Sequence, residues 1–255
     1  MPRLRPLLAP LIALASAGAI ACHAEPDDLT TQRAPVARKP AATPSAPPPA
    51  ACGAKDDPPL TTPFVDDFER SDLSTNDWYS TSYGAYSIRN GRLCTAKPRN
   101  HPLWLKRKLP VNVRVEFEAI PLSNAADVKA ELFGDGCSYD TNGNEYTSSG
   151  YVAVLGAHNN AEHWLAREYE HGPDAKKTPL IAGGDTIANS KLIQGTTYKI
   201  ELARTDGAEV RLSVNGTLVH AMTDPQPLAG QGHDHFAFDG WDAPVCFDRL
   251  VVTPL

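Results

Sequence analysis

Three short polar runs hold the residue types that could bind a ligand or act on one. The first is Asp127-Val128-Lys129-Ala130-Glu131-Leu132-Phe133. Side chains on an extended strand alternate between faces, so Asp127, Lys129 and Glu131 share one face and Val128, Ala130 and Leu132 the other. The charged face therefore points away from the core, either into solvent as cross-strand ion pairs or along a ligand-bearing sheet. The second run is Ala166-Arg167-Glu168-Tyr169-Glu170-His171-Gly172. Arg167 can grip a carboxylate or sugar hydroxyls through its planar fork. His171 beside Glu170 can move protons near neutral pH. A charged strand end running into a loop explains the same residues without any ligand. The third is Gly230-Gln231-Gly232-His233-Asp234-His235. His233 and His235 would lie on one side of an extended stretch, flanking an aspartate as a metal or acid/base couple. A glycine-rich turn entering the next strand accounts for them equally. Trp241 and Trp164 each offer a face on which a sugar ring could stack, although most tryptophans of a sandwich serve its core.

Some chemistry is excluded by spacing. Retaining glycoside hydrolysis needs two carboxyls about 5 Å apart. Asp127 and Glu131 stand four residues apart, roughly 13 Å on a strand, so a second carboxylate would have to come from a neighbour. The loop Asp140-Thr141-Asn142-Gly143-Asn144-Glu145 has oxygen ligands at alternate positions, but it lacks the glycine and the glutamate of a calcium loop and reads as a polar turn. There is no Cys-x-x-Cys and no close Cys/His pair. Nor is there a phosphate-cradling glycine loop or a Gly-x-Ser-x-Gly elbow. No metal and no cofactor are expected.

The elements that would position these groups are strands. Asn90-Gly91 lies between Tyr86-Ser87-Ile88 and Leu93-Cys94-Thr95, and Asn215-Gly216 between Val210–Val214 and Leu218–Met222; both are two-residue hairpin signals. Period-two runs fill Val111–Ala119, Asp127–Phe133, Tyr151–Leu155, His163–Arg167 and Tyr198–Ala203. No long stretch repeats apolar residues at three and four. Strand-like segments also open and close the folded part: Phe64–Arg70 with Trp78 in front, and His235–Trp241 with Val245–Val252 behind. The pattern predicts an all-β, two-sheet antiparallel sandwich shut by pairing its first and last strands.

The Asp-Asp-Phe-Glu-Arg start, Trp78, the Ile-x-x-Gly-x-Leu hairpin, the Val-x-Asn-Gly hairpin and the Phe-Asp-x-Leu-x-Val ending resemble the concanavalin A-like lectin/glucanase superfamily over residues 64–255. The resemblance implies a jelly roll of two stacked sheets, one of them concave and ligand-bearing. It implies no single activity, since lectins, glycan hydrolases, lyases and adhesion modules share that frame. The retaining glucanases of the superfamily carry a Glu-x-Asp-x-x-Glu strand, which is absent here.

The front of the chain reads as an export signal, residues 1–21. Arg3 and Arg5 supply the positive start, and Leu7–Ile20 form an apolar run too short to span a bilayer comfortably. Ala19-Ile20-Ala21-Cys22 resembles the lipobox of bacterial lipoproteins, which implies acylation at Cys22 and a place in the cell envelope, facing the periplasm or the surface. Residues 22–63 are a Pro/Ala-rich tether, extended and unable to bury a core. With Cys22 lipidated, Cys52, Cys94, Cys137 and Cys246 remain, and four cysteines allow three pairings. Cys94 and Cys246 end core strands, which favours joining them and leaves Cys52 with Cys137. The formal charge of −6 drops to −8 without Arg3 and Arg5, which speaks against nucleic acid as a partner. A polysaccharide or glycan is the expected partner, with the membrane touched only through the anchor. A non-catalytic binding role leads; a glycan hydrolase or lyase and an envelope scaffold are the alternatives.

Overall fold

The computed structural model describes Cys52, residues 54–141 and residues 147–255. The signal, Cys22, most of the tether and the centre of the calcium-like loop lie outside the described residues. The strands are β1 (Phe64–Asp66), β2 (Trp78–Tyr79), β3 (Tyr86–Ile88), β4 (Leu93–Thr95), β5 (Leu103–Leu105), β6 (Val113–Pro121), β7 (Val128–Gly134) and β8 (Thr147–Gly156). They continue as β9 (Glu162–Tyr169), β10 (Lys176–Pro179), β11 (Tyr198–Arg204), β12 (Glu209–Val214), β13 (Thr217–Thr223), β14 (His235–Asp239) and β15 (Val245–Pro254). One sheet runs β13-β12-β11-β6-β15-β4-β3, with β1 also paired to β15; the other runs β10-β9-β8-β7-β14-β5-β2. Every pairing between these strands is antiparallel. This is the two-layer jelly-roll sandwich that the sequence pattern predicts.

Local chemistry explains the frame. Asn90-Gly91 and Asn215-Gly216 both take positive φ at each residue, the twist a two-residue hairpin requires. The opening segment pairs with the closing one, Phe64 opposite Val252 and Asp66 opposite Leu250. Asp66 then organises the whole opening motif. Its buried carboxylate accepts from the Phe68 backbone N–H (2.9 Å), the Trp78 indole (3.0 Å) and both Arg70 terminal nitrogens (2.5 and 2.8 Å). Burial pushes its pKa up, but these donors outweigh burial and hold it below the usual carboxylate range. The Asp-Asp-Phe-Glu-Arg signature is therefore structural.

Between the sheets, Phe238 stacks on Phe247 at 4.2 Å and meets Phe117 edge-on at 5.2 Å, with Trp78 at 5.7 Å. Each such ring removed from water contributes roughly 1.5–3 kcal/mol. Cys94 joins Cys246 across the β4–β15 pair, and Cys52 joins Cys137. Residues 54–60, which composition assigns to the tether, are attached to the domain. Leu60 enters the core cluster, and its N–H donates to the Lys108 carbonyl at 2.8 Å. The Cys52–Cys137 pairing expected from the cysteine count tacks this segment to the domain, and Leu60 and the Pro58 carbonyl, which accepts the Lys108 N–H at 2.9 Å, hold it further.

The two sheets differ on their outer faces. β6 alternates buried and half-buried residues up to Phe117, as a strand with one wet face does. β7 is buried along its full length. Lys129 and Glu131 are 3% and 1% exposed, which overturns their solvated-face reading.

His163, buried on β9, accepts the Gly156 N–H at Nδ1 (3.0 Å). Burial drives its pKa down to about 4, and His220 adds to that. A base with a depressed folded pKa contributes stability above its ordinary value near 6.5, and that stability drains away as pH falls toward 4. Between about pH 7 and about pH 4 the urea-unfolding free energy of the native protein should therefore fall on the order of 3 kcal/mol further than that of His163→Gln.

Candidate functional site

A cleft of about 520 Å³ opens on the outer face of the seven-stranded sheet. β7 and β9 supply its floor, Lys129 and Trp164. Its walls are connections: Asn100 before β5, Ser123 and Asp127 before β7, His158 in the turn Ala157–Asn160, Glu170 and His171 after β9, and Trp241 and Asp242 after β14. Three of these connections hold residues at positive φ: Arg99 and Asn100, Ala126 and Asp127, and His158 to Asn160. Asn and Asp tolerate that conformation better than most residues, and backbone so held gathers at working sites.

Lys129 is the electrostatic centre. Its side chain is 3% exposed, and its Nζ lies 2.6 Å from Glu170 Oε2, 2.6 Å from Asn100 Oδ1 and 3.9 Å from Asp239 Oδ2. Burial opposes the ammonium charge, yet Glu170, Asp239 and Asp127 together outweigh it and hold Lys129 charged. Asp239 goes the other way. Burial lifts its pKa well above the carboxylate range, more than Lys129 lowers it, and Glu170 and Glu131 add to the rise. One cation cannot neutralise this many acids, so Asp239 is the group placed to keep a proton. Burial also raises Asp127, partly offset by Lys129 and by the Trp241 N–H, which donates to its Oδ2 at 2.6 Å.

The aromatic side is equally ordered. Trp164 packs with Val152, Val154 and Ala157 on the outer face. His158 and His171 stand edge-on to it at 4.9 and 5.7 Å and lie parallel to each other at 5.9 Å. His171 Nε2 reaches Glu170 Oε1 at 3.3 Å. Half-buried Trp241 carries the Arg99 guanidinium 5.3 Å from its ring centre.

The structure thus brings together Asp127, Lys129, Glu170, His171 and Trp241 from the sequence candidates. Lys129, Glu131, Arg167 and His235 do not converge in one groove, a dispersal that by itself would suit a scaffold. Glu131 points from the same strand face but beyond the cleft, accepting from the Ser149 N–H (3.1 Å) and hydroxyl (3.3 Å). Arg167 lies in a separate groove, bound to Asp224 at 2.8 Å and to Glu168. His235 sits four residues along β14 from Asp239, roughly 13 Å away. There it is buried between Asp234 (2.6 Å) and Asp57 (3.4 Å) of the attached segment. His233 donates from Nδ1 to the Ser149 carbonyl at 2.7 Å, so the two histidines form no couple. Among the described residues no group of three His, Cys, Asp or Glu side chains is arranged to hold a metal ion.

Sequence reasoning missed Asn100, Ser123, His158 and Asp239. Two signals were present: the His158-Asn159-Asn160 run, apt for positive φ, and an aspartate ending the apolar Phe236-Ala237-Phe238 strand.

No family model matches the chain, and no curated protein does. Solved structures do. A sialidase aligns with a TM-score of 0.51 at 13% identity, over 76% of this chain and 18% of that one. A structure described under endo-acting O-glycanases that initiate mucin breakdown, from human gut microbiota, aligns with a TM-score of 0.50 at 13% identity, over 75% and 98%. A carbohydrate-binding module from Bacillus subtilis aligns with a TM-score of 0.49 at 12% identity, over 69% and 95%. At such identities the likeness to the first two shows the sandwich fold alone.

Lys129→Met leaves buried acids without their cation. It should lower the unfolding free energy by about 3–5 kcal/mol in urea titrations, and adding Glu170→Gln with Asp239→Asn should restore most of that loss.

Proposed function

We propose that this protein is an exported envelope lipoprotein whose β-sandwich binds a glycan in the cleft over Lys129 and Trp164. The observation that carries the reading is the lining itself. A sugar ring presents an apolar face and a rim of hydroxyls, and this cleft sets half-buried Trp241 beside Asp127, Glu170, Asn100 and the imidazoles of His158 and His171. Rigid strands hold the floor, and the Lys129 network fixes Glu170 and Asn100 before any ligand arrives. The solved structures that share the fold include carbohydrate-active proteins, which agrees with this use of the sheet. Two disulfides suit an oxidising compartment. Among the described residues no helix is long and apolar enough to cross a membrane. The lipobox-like run ending at Cys22 and the tether behind it support anchoring by lipid, with the domain held off the bilayer.

The Glu170–His171 contact favours a second reading, in which the same cleft performs acid/base chemistry on the glycan. One panel separates the two: purified protein is mixed with polysaccharides, and both retention and new reducing or unsaturated ends are measured. Binding without product is expected, and Trp241→Ala should weaken it about 10-fold or more while leaving the melting temperature near that of the native protein. Product formation abolished by Glu170→Gln would establish the catalytic reading instead.

For the anchor, the mature N-terminus should carry an acylated Cys22 by mass spectrometry, and Cys22→Ala should move the protein from the membrane to the soluble fraction. An unmodified N-terminus further along the chain would show ordinary signal cleavage.

A further inference from the structure

Resting on the glycan reading, we infer that the cleft selects an uncharged glycan and rejects polyuronates and sulfated chains. The argument is a count of what the lining has left to offer. Its buried ammonium, Lys129, already serves Glu170 at 2.6 Å and Asn100 at 2.6 Å. The rim cations Lys97 and Arg99 both lie against Asp242, at 3.4 and 3.3 Å. A carboxylate or sulfate entering the cleft would meet Asp127 and Glu170, charges of its own sign, and among the described lining residues the one lysine or arginine is Lys129, already held by Glu170. Built-in repulsion of this kind is a common source of specificity.

Two further groups say what is wanted instead. Trp164 is 2% exposed, and its indole Nε1–H has no hydrogen-bond partner among the described residues. The Ser123 hydroxyl is likewise buried and unpartnered. Both residues line the cleft. A buried polar group without a partner is costly, and such groups are normally satisfied by a ligand or an ordered water. The indole requires an acceptor, which an ammonium group cannot provide. The carboxylates require donors, which a uronate carboxylate cannot provide. A sugar hydroxyl is both donor and acceptor, so one neutral residue answers all of them.

The test is calorimetric titration of the mature full-length protein at about pH 8. The probes are cello-, xylo-, manno- and laminari-hexaose against hexagalacturonate and an alginate hexamer. At least one uncharged hexamer should bind saturably. That binding should weaken about 10-fold or more in Trp241→Ala and about 5-fold in Ser123→Ala. The acidic hexamers should show no saturable heat at about 10-fold higher concentration. An acidic hexamer that binds as well as the neutral ones, and loses that binding in Trp241→Ala, overturns this inference and leaves the glycan reading standing. Absence of binding by every hexamer overturns both.

Discussion

An ammonium group taken out of water costs several kcal/mol unless acids surround it, and the acids themselves cost as much unless a cation answers them. Lys129 sits at that balance. It is 3% exposed, on a strand with no wet face, and Glu170 from the β9 end and Asn100 from the β4–β5 connection both close on it. Neither connection belongs to the sheet ladder. They close over a cation that the fold buries, and each gives it a polar partner. In this way one lysine converts an outer sheet face into a walled cleft.

The frame beneath is set by a different carboxylate. Asp66 ties the first strand, the indole of Trp78 and the Arg70 side chain into one knot beside the last strand. Closing a chain over this separation costs loop entropy, and long-range pairing of this kind is slow to form. The Cys94–Cys246 disulfide crosses the same region and limits that loss in the unfolded chain, in the loop-entropy view of such bonds. The Cys52–Cys137 bond has another role. It fastens residues 54–60 beside His235, so the end of the outer face away from the cleft is closed while the end over Lys129 stays open.

Function follows from this asymmetry. Two sheets share one core, and among the described residues the seven-stranded one alone gathers acids, imidazoles and tryptophans in one cleft. The eight-stranded sheet exposes Arg114, Glu116 and Glu118 as ordinary surface charge, where ion pairs contribute little. On the seven-stranded sheet the same residue types are desolvated, so their mutual arrangement decides what can enter. A proton held on Asp239 below the floor would leave the Lys129–Glu170 pair electrically balanced.

What the sequence determined by itself was period and punctuation. Alternation named most of the long strands, and Asn-Gly pairs located two hairpins to the residue, because side-chain direction on a strand and positive φ at a turn are local properties. The same alternation set Lys129 and Glu131 on one face. Tertiary structure alone decided that this face is buried, that Lys129 reaches Glu170 forty-one positions away, and that Glu131, Arg167 and His235 serve three other places. Burial and charge pairing depend on which connections fold over a sheet. That is fixed by the summed cost of desolvating groups far apart in the chain, and no short stretch of sequence carries it.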